Sequence, residues 1–196
     1  ITAATGMDAL THAIEAYISL WDRGTSKSSS SVAIDLIYRY LPIAYSDGDN
    51  EEARESMSLA AYYAGMAINQ VNVGNVHAIA HQLGGRYGIP HGIANAMVLP
   101  HVLEFCVDEA EEALAELGRL VGLGSSDSTV TELARNFIVS VSDLRNKVGI
   151  PPQSKLIKIE DHSGLAESAV KEGAGYPVRK LLDKKTAMHI LEQLTI

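Results

Sequence analysis

An all-α, bundle-like helical domain follows from three features of this sequence. Apolar residues recur at helical spacing along most of the chain, period-two runs bounded by turn residues are scarce, and cap or turn residues separate the periodic segments. Lys155–Ile159 alone has the alternation of a short strand. With 196 residues, 46% of them hydrophobic and 20% charged, the chain can bury one core, so residues 1–196 are expected to form a single helical domain.

The elements follow in order. A first helix is predicted from Thr5 to Leu20, where Ala9, Ala13 and Ala16 permit close packing, with the loop 22–25 closing it at Gly24. A serine-rich start at 26–31 opens a second helix carrying Val32, Leu36 and Tyr40, and Pro42 disturbs its end. The run 46–50 is a turn, after which Asn50 offers an N-cap and Glu51 and Glu52 suit the positive end of the helix dipole. This third helix is alanine-rich and breaks at Val73-Gly74.

A fourth helix begins near Asn75 and is expected to end at Gly84-Gly85, where glycine permits a left-handed cap. Pro90 restarts the chain into a fifth, His91 to Phe105, with a bend expected at Pro100. Asp108 is the expected cap of the next. Its acidic residues between 108 and 116, with Leu114, Leu117 and Leu120, read as a solvated face over an apolar stripe. Gly122-Leu123-Gly124 follows a helix rather than a strand, so it is a loop and not a dinucleotide fingerprint. A further helix spans Ser128 to Lys147, a linker covers 149–152, and two shorter helices are predicted at Ser163–Lys171 and Lys184–Leu194.

Charge excludes several function classes. A formal net charge of −8 and a pI near 5.3 oppose any electrostatic grip on nucleic acid or anionic lipid. No apolar run approaches the roughly 20 residues that span a bilayer, and no basic leader with a cleavage site opens the chain. The expected compartment is cytoplasmic. Cys106, the single cysteine, sits between Phe105 and Val107 and reads as a packed thiol. A chain opening at Ile1 and entering a helix almost at once reads as a fragment of a longer protein.

Two short windows carry the chemistry. Asp8 and His12 are four residues apart, so on a helix they project from one face about 6 Å apart along its axis, where a carboxylate and an imidazole can share an ion. His77 and His81 repeat that spacing, and His91 follows a glycine-rich turn at the start of the next helix. The positive helix terminus disfavours a charged imidazole there, and neutral imidazole is the form that binds metal. Taken singly, each pair is an ordinary polar contact; three histidines among Ala, Ile and Gly beside a matching Asp/His pair point to a metal site.

The segments 4–15 (Ala-Thr-Gly-Met-Asp-Ala-Leu-Thr-His-Ala-Ile-Glu) and 77–100 resemble the two signature regions of the iron-containing (group III) alcohol dehydrogenases. Weaker similarity extends over the whole chain, including Leu144-Arg145, Gly149-Ile150-Pro151 and the tail from Tyr176-Pro177 to Leu194. The resemblance implies the C-terminal, helical half of a two-domain dehydrogenase whose N-terminal nucleotide-binding α/β domain is absent here. It implies metal ligands at Asp8, His12, His77 and His91. It also implies that His81 is no ligand but a catalytic residue beside the substrate and the nicotinamide of the cofactor. Glycerol dehydrogenases and dehydroquinate synthases are similar in architecture but lack this complete ligand set. Ala78, Gln82, Asn72 and Asn75 depart from the commoner family residues without removing a ligand, and Ile68, Asn69 and Asn72 are candidate pocket-lining positions.

Three imidazoles and a carboxylate suit Fe(II), with Zn(II) as the alternative. The implied function is a metal-dependent alcohol dehydrogenase in which the ion acts as a Lewis acid and NAD or NADP accepts hydride in the intact enzyme. Expected partners are a small alcohol or aldehyde and further copies of the chain in a homo-oligomer, a dimer. Two other readings stand beside it: a non-catalytic helical interaction module, and a hydrolase whose metal activates water.

Overall fold

The computed structural model describes residues 1–22 and 24–196; part of the loop expected at 22–25 therefore lies outside the described residues. The described residues form α1 (Thr2–Ile18), α2 (Thr25–Ser46), α3 (Glu51–Val71), α4 (Asn75–Tyr87), α5 (His91–Phe105), α6 (Val107–Leu120), α7 (Val130–Lys147), a 3-10 turn at Ile159–Asp161, α8 (His162–Gly173) and α9 (Lys184–Leu194). The all-α expectation holds. Lys155–Ile159 is not a strand: the backbone pairing nearest it is an isolated bridge between Ser154 and Thr195. With no neighbouring strand to accept the remaining N–H groups, local alternation has nothing to pair with.

Helix α1 is the hub. It buries Met7, Leu10, Ala13 and Ile14 and packs against α2, α3 and α5. Helix α5 is buried over much of its circumference, from Ala94 to Pro100 and at Val102 and Leu103, as expected of a helix apolar all round. Its first turn lies directly on α1. A Cβ at Gly92 would come within 2.1 Å of the Ala4 carbonyl oxygen, so only glycine allows the approach that brings the start of α5 to the polar face of α1. Helix α4 packs between α5 and α8, while α6 and α7 pack against each other, with Leu114, Leu117, Leu133 and Phe137 among their buried residues.

Several helix ends differ from expectation. Helix α4 runs through Gly84-Gly85 and leaves the helix only at Gly88, with φ 66°. Glycine weakens a helix interior by about 1 kcal/mol, but tertiary packing of α4 overrides that preference. Asp108 is not a cap; α6 starts at Val107, and Asp108 and Glu109 occupy its first turn. Thr129 caps α7 through a reciprocal box with Glu132. Asn50 accepts from the Ala53 N–H and caps α3 as expected. Pro42 and Pro100 lie inside continuous α2 and α5. No helix among the described residues is long and apolar enough to cross a membrane.

Candidate metal centre

Three helices meet at one polar cluster in this apolar body. On α1, Asp8, His12 and Glu15 fall at i, i+4 and i+7 and so share a face. Helix α4 contributes His77 and His81, and α5 contributes His91 and, one turn on, Asn95. One ligand atom from each of Asp8, His12, His77 and His91 lies within 4.8 Å of all the others. Asp8 Oδ1 is 3.4 Å from His91 Nε2 and 4.0 Å from His77 Nε2. The His12 and His77 rings stack at 4.8 Å. Bonds of about 2 Å from four donors to one ion set the donors roughly 3–4 Å apart, so this set fits a transition-metal ion with little adjustment.

Glu15 and Asn95 complete the cluster, and neither had been assigned a role from sequence. Glu15 is 6% exposed; its Oε2 accepts from the Gly74 N–H at 2.8 Å, its Oε1 from the Val76 N–H at 2.7 Å, and Oε2 lies 2.6 Å from His77 Nδ1. A carboxylate can only accept, so neutral His77 carries its proton on Nδ1 and turns Nε2 toward the cluster. Asn95 is fully buried, and its Nδ2 donates to Asp8 Oδ1 at 2.6 Å while lying 3.2 Å from His77 Nε2 and 3.1 Å from His91 Nε2. The signal for both residues was local: each stands about one turn from a candidate ligand on the same helix.

Electrostatics divide the histidines. Burial holds His12 below its ordinary pKa against the opposing pull of Asp8, and burial likewise lowers His91, again opposed by Asp8. These two favour the neutral form. Burial also acts to lower His77, but the hydrogen bond and charge of Glu15, with Asp8 and Glu172 adding to them, raise it above the usual value. Cys106 is 4% exposed, and burial pushes its thiol up to about 12, in keeping with a packed residue.

His81 stands at the mouth of the cluster, exposed, stacked on the His91 ring at 5.3 Å and edge-on to His77 at 5.7 Å. Its Nδ1 lies 2.6 Å from Glu172 Oε1 on α8. Ile68 and Asn69 lie in the last turn of α3, and Asn72 ends that helix with φ 72°, its N–H donating to the Ile68 carbonyl. Asn72 is thus the C-cap of α3.

Residues 2–195 match the profile of the Fe-containing alcohol dehydrogenase family, C-terminal part. The chain is 42% identical over 178 residues to 1,3-propanediol dehydrogenase of Klebsiella pneumoniae, covering 90% of this chain and 46% of that protein. Alcohol dehydrogenase 4 of Saccharomyces cerevisiae is 42% identical over 176 residues, covering 88% of this chain and 44% of the yeast protein. The crystal structure of a 1,3-propanediol oxidoreductase superposes with a TM-score of 0.94 at 40% identity, over 98% of this chain and 51% of that one. Alcohol dehydrogenase from Oenococcus oeni gives 0.94 at 38% identity, over 99% and 51%. The chain thus spans about half the length of the relatives it matches. A helical fold shared almost end to end, together with a family match over residues 2–195, shows that this chain belongs to the Fe-containing alcohol dehydrogenase family and corresponds to its C-terminal, helical part.

Proposed function

We propose that residues 1–196 act as one metal-binding domain of a metal-dependent, NAD(P)-linked alcohol dehydrogenase. The observation that carries this reading is the convergence of Asp8, His12, His77 and His91 to within 4.8 Å in a chain of this family. Those four residues hold the ion, Fe(II) with Zn(II) as the alternative. Their donor set contains no soft thiolate and suits either metal. When bound, the ion supplies a Lewis acid beside the reacting alcohol or carbonyl oxygen. Glu15 keeps the His77 lone pair aimed into the site, and Asn95 steadies Asp8. His81, exposed beside the His91 ring, accepts the alcohol proton and passes it to water.

The substrate is a small alcohol or aldehyde. The nicotinamide cofactor is held by a further domain, because no glycine-rich strand–turn–helix unit occurs in these 196 residues. Residues Ile68, Asn69 and Asn72 line the substrate side of the cleft.

Metal titration of the chain tests the site: one Fe(II) or Zn(II) per chain is expected, lost in His77→Ala. Failure to take up either metal would sink the reading. For the reaction, the full-length protein that carries this chain should reduce NAD or NADP with a primary alcohol or 1,3-propanediol, and a chelator should abolish that activity. Alcohol-independent hydrolysis in its place would favour a metal hydrolase.

A further inference from the structure

His81 is held from a distance. Glu172, which meets its Nδ1 at 2.6 Å, comes from α8 and is itself fixed on both oxygens. Tyr176 Oη donates to Oε1 at 2.8 Å, and Gln82 Nε2 donates to Oε2 at 2.7 Å while also reaching the Ala78 carbonyl at 3.0 Å. An exposed ion pair such as Lys184–Glu167 rests on a single contact, and pairs of that kind contribute about 0–1 kcal/mol. Glu172 differs because three donors on two elements fix where its oxygens point. The His81 ring is bracketed as well, with His91 on its face and His77 at its edge.

We propose that Glu172, steadied by Tyr176 and Gln82, is the positioning residue of His81: it fixes the ring and keeps the proton on Nδ1, so that the Nε2 lone pair is free to take a proton from the alcohol. The role depends on His81 acting on the substrate as proposed above. A carboxylate offers no proton, so the imidazole must donate through Nδ1. His81 Nε2 has no protein hydrogen bond among the described residues. Without Glu172 a neutral imidazole can carry its proton on either nitrogen, and the Nε2–H form cannot accept.

The proton balance is simple. The alcohol O–H bond breaks and its proton goes to His81 Nε2; in the intact enzyme an oxidised nicotinamide would take up the hydride with its electron pair from carbon. The resulting imidazolium lies against the Glu172 carboxylate, which offsets its charge, and then returns the proton to water. Glu172 is only partly covered, with 29% of its side chain exposed, so water lies within reach.

Two measurements test the role independently. Nitrogen-15 NMR of the full chain labelled at histidine should show His81 with a protonated Nδ1 and a bare Nε2. Glu172→Ala and Glu172→Leu, which both remove the acceptor at Nδ1, should each shift it to a mixture or to the Nε2–H form. The Leu variant keeps most of the side-chain volume, so it still answers the question if the Ala variant folds poorly. An unchanged tautomer in a folded variant overturns the proposal. In the full-length protein, kcat for a neutral primary alcohol should fall at least about tenfold in either variant, within the roughly 10²–10⁴-fold that a positioned acid–base group contributes, with little change in KM. Added formate should restore part of kcat in Glu172→Ala. Unchanged kcat would likewise overturn it. A wild-type protein that oxidises no alcohol would remove the proposed activity and leave the tautomer result to decide the positioning role.

Discussion

His77 and His81 stand one turn apart on α4, and each brings Nδ1 to within 2.6 Å of a glutamate oxygen. Their surroundings are opposite. His77 is 1% exposed and Glu15 6%, and Glu15 also ties down the first N–H groups of α4. In the outer pair the side chains are 41% and 29% exposed, and the glutamate is fixed by side chains alone. One local chemistry is thus committed to two tasks by burial and by the second partners of the carboxylate. The inner pair turns Nε2 toward Asp8 and the other candidate ligands; the outer pair holds an imidazole at the mouth of the cluster.

The comparison breaks first at the histidines themselves. In the wild-type chain, a metal at about a hundred times its Kd should stabilise the fold by about 2.7 kcal/mol, a rise in midpoint of roughly 5–10 °C for a chain of this size. His77→Ala is expected to abolish that rise and His81→Ala to keep it, as thermal unfolding with and without Zn(II) will show. An equal loss in both variants would place the two histidines in one role.

Carboxylate replacement is the next largest effect. Glu15→Gln leaves one accepting oxygen where two receive the Gly74 and Val76 N–H groups and His77 Nδ1 and removes the negative charge beside His77, so it should weaken metal affinity about 10–100-fold. It should also cost roughly 1–3 kcal/mol of stability in the metal-free chain, because buried donors lose their partner. Glu172→Gln should leave metal affinity within a few-fold and stability within about 1 kcal/mol, as suits a partly exposed pair. Calorimetric titration and denaturant unfolding of the two variants check both halves of this contrast.

The pH dependence should separate the ligands more gently. Metal must displace a proton from any histidine that carries one on the coordinating nitrogen. His77 is raised above its ordinary value of 6.5, whereas His12 and His91 are lowered. Near neutral pH, therefore, His77 is the ligand that must lose a proton, and affinity should climb as pH rises through its raised pKa and then level off. Competition at His12 and His91 belongs to lower pH than competition at His77. Titration in two buffers of different ionisation enthalpy should detect proton release on metal binding that comes mainly from His77 near neutral pH and falls away as pH rises further.

Helix identity was local information and was legible. Asn50 marked the start of α3, and Pro90 with the apolar segment His91–Phe105 announced α5. Helix ends were less so: Gly84-Gly85 looked like a stop, but α4 continues to Tyr87 because packing against α5 and α8 outweighs the glycine penalty. The alternation at Lys155–Ile159 could not make a strand without another strand to pair with.

By itself the sequence determined which polar residues share a helix face, since i,i+4 spacing is a property of one helix and needs no partner. Asp8 with His12, and His77 with His81, were fixed at that level, and Glu15 and Asn95 stood within one turn of them. Only the tertiary structure decided that the pairs meet. The meeting requires α5 to touch α1 at Gly92, where any Cβ would strike the Ala4 carbonyl. It also decided which glutamate serves which histidine. Glu15 reaches His77 across 62 residues and Glu172 reaches His81 across 91, and separations of that size leave no local pattern, because the contacts exist only once the packed helix faces have closed on one another.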